Sequence, residues 1–233
     1  MQNSTKFRYS EFYTSRKSGL FPNEGLVRML MGKYPTLNLA SEFDYANTRI
    51  CDLSCGDGRN LRLFHHLGMM LYATEVTDAI AQHVQSQLEA EGYQAEIRTG
   101  DNHSVPFEDA LFDIAVSWNA CYYQGNIPDF DKTLCEIARV IRPGGAFIFS
   151  IPQPDNFIFN SCRELDRQYV EVVSDPFGGI RNGEIMRRFI SQADLSSTLE
   201  KKFHKIQICE SSIDYFGMLN SHYFGICYKQ PSS

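Results

Sequence analysis

Short apolar runs alternate along the chain with stretches whose apolar residues recur every third or fourth position. That rhythm predicts βαβ units in a parallel sheet covered on both faces. Arg49 to Leu53 reads as a buried strand, followed by a glycine-containing turn and a helix from about Asn60 to Leu67. Met69 to Thr74 is the second strand. Thr77 is placed to cap the next helix, in which Ile80, Val84 and Leu88 recur every fourth residue before Gly92 ends it. Ala95 to Thr99 is a half-polar third strand and Phe112 to Ser117 an apolar fourth, with Val105 to Asp109 as a loop between them. Asp129 opens a helix with one apolar stripe (Phe130, Leu134, Ile137, Ala138, Ile141). Pro143-Gly144-Gly145 is expected to stop that helix, and Ala146 to Ile151 to form the fifth strand.

The rhythm then changes. Residues 152–188 mix proline, glycine and charge, with one expected helix near Cys162 to Val170. A helix over Ser191 to Lys202 and two closing strands, His204 to Glu210 and Tyr223 to Tyr228, complete the pattern. The first 45 residues carry aromatics and a helix start at Pro22-Asn23-Glu24, and are expected to cover the ligand edge of the sheet. The expected organisation is one domain over 1–233. It comprises a cap at 1–45, a core at 46–151, an elaboration at 152–188 and a closing unit at 189–233.

Hydrophobic residues make up 43% of the chain and charged residues 21%, which argues against general disorder. The formal net charge of -6 and the absence of a basic arm argue against nucleic acid as the main partner. No apolar run approaches a membrane span, and no apolar segment follows the polar start, so neither membrane insertion nor a signal peptide is expected. The seven scattered cysteines form no C-x-x-C pair and no zinc spacing. A reducing, cytoplasmic setting without a bound metal is the expectation.

The strongest chemical signal is Asp52-Leu53-Ser54-Cys55-Gly56-Asp57-Gly58-Arg59-Asn60, between a strand and a helix. Gly56 and Gly58 permit positive φ and close approach of a ligand, and the helix start offers free amide donors. A dinucleotide fingerprint would need a third glycine where Leu61 stands. Asp52 suits a ligand bearing cationic groups better than a pyrophosphate. The turn resembles the first motif of the class I S-adenosylmethionine-dependent methyltransferases, in which glycine is commoner than Ser54. Further motifs follow in order: Glu75 at the end of the second strand, Gly100-Asp101-Asn102 after the third, Val105-Pro106-Phe107 with Leu111-Phe112-Asp113, and Arg139 to Gly145. The resemblance covers roughly 49–151.

That resemblance implies a Rossmann-like, doubly wound, mostly parallel seven-stranded α/β sheet with an N-terminal helical cap. It implies that Asp52, Ser54, Gly56, Gly58 and Asn60 hold the methionyl part of S-adenosylmethionine, Glu75 the ribose, and Asp101 and Asn102 the adenine. Trp118 and Asn119 are expected at the methyl group, and S-adenosylhomocysteine is the expected product. Tyr122 and Tyr123 either shape an acceptor pocket or are buried aromatics, and Tyr13, with Phe12, Arg16 and Lys17, either closes over the site or belongs to an ordinary packed helix. His103 and Tyr122 are the candidate groups for removing an acceptor proton. The acceptor is expected to be a small molecule methylated on oxygen or nitrogen, with a sugar or secondary metabolite as host. A non-catalytic cofactor-binding scaffold, a tRNA or protein methyltransferase and an NAD-dependent oxidoreductase are the alternatives.

Overall fold

The computed structural model describes residues 4–15 and 21–231, so Arg16 and Lys17 lie outside the described residues. Three helices come first: α1 (Thr5–Thr14), α2 (Glu24–Met31) and the single turn α3 (Leu39–Glu42). The βα alternation then runs β1 (Arg49–Asp52), α4 (Arg59–His66), β2 (Met70–Glu75), α5 (Asp78–Ala90), β3 (Ala95–Thr99) and β4 (Phe112–Trp118). It continues through β5 (Tyr123–Gly125), α6 (Phe130–Val140) and β6 (Ile141–Pro152). After β6 come β7 (Cys162–Glu164), β8 (Tyr169–Val172), β9 (Ile185–Arg187), α7 (Gln192–Leu199), β10 (Phe203–Tyr215) and β11 (Met218–Lys229).

The main sheet has the order β10-β11-β6-β4-β1-β2-β3. The strands β6, β4, β1, β2 and β3 run parallel, and β11 and β10 close the sheet antiparallel. Each central strand deals its side chains alternately into two cores, as a pleated strand must. Cys51, Ala115, Phe147 and Phe149 enter the core under α6 and α7, while Ile50, Ile114, Val116 and Ile148 enter the one under α2, α4 and α5. Burial on both faces explains the near-continuous apolar runs of β4 and β6.

Local chemistry sets the helix starts. The side chains of Thr77, Asp129 and Ser191 accept hydrogen bonds from the amides of Ile80, Lys132 and Asp194 at the starts of α5, α6 and α7. Two expectations need correction. Pro143-Gly144-Gly145 does not stop α6, which ends at Val140; the turn lies inside β6. A Cβ on Gly145 would stand 2.7 Å from the Asp113 carbonyl, so glycine is what lets β6 approach β4 there. The expected helix at 162–170 is absent. β7, β8 and β9 join β5 in a second, four-stranded sheet of order β5-β9-β8-β7. Val170 and Met186 are fully buried beneath it. The closing strands are also longer than expected, because the β10–β11 hairpin continues past the end of β6.

Strand order reverses between β1 and β4, so the crevice outside their carboxyl ends is the topological switch point. Asp52 and Trp118 end these two strands.

Candidate active site

A cavity of about 890 Å³ opens at that carboxyl edge, covered by α1. Backbone pairing across β1, β4 and β2 fixes the turn after β1. The Leu53 amide donates to the Val116 carbonyl, the Ser54 amide to Thr74 Oγ1, and the Cys55 amide to the Thr74 carbonyl. Ser54 sits at φ 58° and Gly56 at φ 62°, and the Gly56 amide donates to Glu75 Oε1 at 2.5 Å. The Val76 amide occupies Glu75 Oε2 at 2.9 Å. The carboxylate that ends β2 is thereby oriented by the turn that ends β1.

Asp52 is fully buried at the cavity wall, and its Oδ2 has no hydrogen-bond partner. Burial pushes its carboxyl up to about 8, against the stabilising amide of Asn60 and with added repulsion from Glu75 and Asp57. Asn60 holds that place because its own Oδ1 accepts from the amide and side chain of Asn23 at the start of α2. Burial likewise raises Glu75 to about 7. Two buried acids thus share one cavity, and the Asp52 oxygen is free to accept from a ligand donor.

Nearly all the other residues expected at the site line the same cavity. Gly58 is the exception: at φ 71° it ends the turn, and a Cβ there would strike Val84 at 2.7 Å, so its part is helix packing rather than ligand contact. The Asn102 amide donates to the carbonyls of Ala120 and Tyr123 and ties the loop after β3 to the loop after β4. Asp101 accepts from the His103 amide and faces Lys6 at 3.5 Å. His103 Nε2 lies 3.1 Å from the Asp129 carbonyl and 3.2 Å from Gln124 Oε1. A carbonyl oxygen only accepts, so that nitrogen carries its proton and braces the loop. Trp118 packs on Phe224 at 4.9 Å and fits flush against Gly25. Asn119 takes φ 58° and accepts from Ser150 Oγ.

Tyr122 and Tyr123 stack at 4.6 Å. Burial raises both phenols, so they stay protonated and act as hydrogen-bonding groups rather than bases. Tyr13 stands over Gly56, with its ring 3.2–3.4 Å from where a Cβ would be. The sequence reading missed Tyr9, Arg181, Glu184, Asn220 and His222, all on the cavity wall. They lie on α1, the 175–184 loop and the start of β11, segments that carry no motif and reach the cavity only through the tertiary fold.

Residues 51–149 match a family model described as a methyltransferase domain. The chain is 28% identical over 178 residues to a phthiotriol/phenolphthiotriol dimycocerosates methyltransferase of Mycobacterium ulcerans, covering 72% of this chain and 56% of that protein. It is 28% identical over 122 residues to a fatty-acid O-methyltransferase of Mycolicibacterium smegmatis, covering 49% of this chain and 41% of that one. The chain thus spans about half the length of these curated relatives. In fold it is similar to the crystal structure of a methyltransferase from Methanosarcina mazei, with TM-score 0.61 and 16% identity over 86% of this chain and 99% of that one. Residues 51–149 thus match a methyltransferase domain, and the chain is similar to methyltransferases in sequence and in fold.

The site fits S-adenosylmethionine on its own geometry. The orphaned Asp52 oxygen suits an α-ammonium group, the glycine turn leaves room for close approach, and Glu75 is an acceptor positioned for hydroxyls. Among the described residues no cluster of three or more histidines, cysteines or acids could hold a metal ion, and no helix is long and apolar enough to cross a membrane.

Proposed function

We propose that this chain transfers the sulfonium methyl group of S-adenosylmethionine to an oxygen or nitrogen of a small-molecule acceptor. The observation that carries the reading is the buried, unpartnered Asp52 oxygen beside the Gly56 turn, in one cavity with Glu75. Asp52 would hold the cofactor's ammonium, Glu75 its ribose hydroxyls, and Asp101 with the neighbouring loop its adenine. Bound there, the cofactor supplies a methyl group on positively charged sulfur, already activated for displacement. The protein's remaining work is to align the acceptor, exclude water and give its proton a destination. The stacked Tyr122 and Tyr123, together with Trp118 and the α1 cover, supply a dry wall for that alignment.

The cavity continues past the cofactor-holding residues to Asn220 and His222 on β11. That extra room favours an enzyme over a cofactor-binding scaffold. Its Trp118, Tyr122, Phe157 and Ile158 walls favour an acceptor with an apolar body over a sugar. Relatives named for phthiotriol dimycocerosates and for fatty acids support the same choice.

Calorimetric titration with S-adenosylhomocysteine tests the cofactor reading. The wild type is expected to bind it and to ignore NAD. Glu75→Ala is expected to weaken binding by about 10- to 100-fold, the loss of charge-assisted hydrogen bonds to a carboxylate. A folded wild type that binds NAD instead, or Glu75→Ala binding unchanged, would overturn the assignment.

A further inference from the structure

His222 lies near the start of β11, where the hairpin has just met the end of β6 at Pro152. It is 9% exposed, and what remains exposed faces the cavity. Its ring lies 6.1 Å from Phe224, which packs in turn on Trp118. The backbone carbonyl of His222 accepts from Gln153 Nε2, yet neither ring nitrogen has a hydrogen-bond partner among the described residues. An unpartnered imidazole in a nearly closed site is costly unless something else bonds to it.

Strand order says what that something is. The residues placed on the cofactor end β1, β2 and β4 or follow β3, whereas β11 lies two strands beyond β4. In register, Phe224 stands across Ser150 from Trp118, and His222 lies two residues nearer the carboxyl edge, beyond the Phe224 ring and on the side away from Glu75. The cavity that Trp118 and His222 both line leaves space for an acceptor group between the methyl donor and the imidazole. We propose that His222 is the acceptor-side catalytic residue, accepting a hydrogen bond from an uncharged hydroxyl on an apolar body and taking its proton during methyl transfer. In that step the oxygen lone pair forms the bond to the methyl carbon. The carbon–sulfur bond breaks with its electron pair going to sulfur, and the O–H proton passes to the imidazole.

The hydroxyl class follows from the surroundings. Burial alone holds His222 down at about 4, with no charged neighbour contributing, so the ring is a neutral acceptor at physiological pH. Of the acids on the neighbouring segments, Asp155 accepts from Ser221 Oγ, and Glu210 stands opposite Tyr223 in the β10–β11 register. Opposite His222 on β10 stands Ser211. Among the described residues the cavity's cations, Lys6, Arg8, Arg59 and Arg181, lie on α1, the start of α4 and the 175–184 loop, and none of them perturbs the His222 ring. The aromatic and aliphatic wall formed by Trp118, Phe157 and Ile158 suits an apolar alcohol or a phenol.

This assignment rests on the methyltransferase reading, and the test separates the two. Protein labelled with ¹³C at histidine Cε1 is loaded with S-adenosylhomocysteine and followed by NMR between pH 5 and 8, with His222→Gln identifying the signal. The His222 signal is expected to stay that of a neutral ring throughout and to shift when phenol or 1-hexanol is added. Affinity for the bound alcohol should fall about five- to tenfold in His222→Leu and stay within about threefold in His222→Gln, which keeps an acceptor oxygen. With S-adenosylmethionine, the wild type should methylate the bound alcohol, and His222→Gln should do so about 10²- to 10⁴-fold more slowly because an amide cannot take the proton. If His222→Leu does not fold, the NMR shift and the His222→Gln rate stand on their own. A signal that titrates between pH 6 and 7, one unmoved by either alcohol, preference for hexanoate, or a bound alcohol left unmethylated would overturn the assignment. Failure to bind either alcohol would overturn it too. Loss of S-adenosylhomocysteine binding in the wild type would instead bring down the cofactor reading.

Discussion

At the scale of single residues, the site keeps two acids in unfavourable places. Asp52 and Glu75 are each at most 3% exposed, and burial holds both above their usual range. A ligand ammonium beside Asp52 would favour the ionised form, so S-adenosylhomocysteine binding is expected to release protons. Calorimetry at pH 7 in buffers of different ionisation heat reads that release, and apparent affinity should rise as pH climbs toward the raised Asp52 value. Asp52→Asn should weaken binding more than about tenfold, since a charge-assisted contact is lost. The same substitution removes a charge that is hard to bury, so at pH 8 the ligand-free variant should melt higher than wild type, by about 2–4 °C for each kcal/mol relieved. Gly56, Asp52 and Glu75 were legible as cavity residues because motif and strand end coincide. His222 was not legible, because nothing near it in sequence marks a site.

At the scale of elements, α1 and the second sheet bring the unannounced residues in. α1 buries no residue fully; Tyr9 and Tyr13 pack partly against the core, and the remaining contacts are polar. Arg8 donates to the carbonyls of Ile180 and Asn182, Ser10 meets Thr77, and Lys6 faces Asp101. Such an element opens cheaply. Residues 5–14 are therefore expected to exchange amide hydrogens faster than α6 in the free protein and to slow when S-adenosylhomocysteine is added, as read by mass spectrometry. The second sheet is anchored differently. Met186 is fully buried, and Met186→Ala should cost about 2–5 kcal/mol of stability by cavity formation. A thermal melt measures that loss. Calorimetry should find S-adenosylhomocysteine affinity nearly unchanged in the folded variant, because Asp52 and Glu75 rest on the other sheet. Over 162–170 the chain carries Arg, Glu, Leu and Gln, residues that favour a helix. The competing signal was the period-two burial of Tyr169 to Val172, too short to stand out until β9 and β5 supply partners.

At the scale of the whole molecule, the acids give a pH signature. Glu184, 6% exposed beside Arg8 and Lys6, is raised to about 7 by burial, alongside Glu75 and Asp52. Between pH 6.5 and 8 the folded state still binds protons on these groups that the unfolded chain has already lost, so stability falls as pH rises. His222, depressed to about 4, stays neutral in both states across most of this window and adds little slope. Ligand-free protein should therefore melt progressively lower from pH 6.5 to 8. A saturating cofactor analogue should reduce the slope, since it would bring an ammonium to the unpartnered Asp52 oxygen and hydroxyl donors to Glu75.

The sequence by itself determined the parallel core, the helix starts at Thr77 and Asp129, and the glycine turn after β1 with Glu75 at the end of β2. Each of these is local: period, cap and motif act over a few residues, and strand and turn chemistry decide them before any packing. Only the tertiary structure decided that Gly58 serves packing against Val84, that His103 braces a loop, and that 162–187 forms strands. It alone brought Tyr9, Glu184 and His222 to one cavity. Those outcomes depend on which distant segments share a wall, and side-chain periodicity within a segment carries no information about its neighbours across the fold.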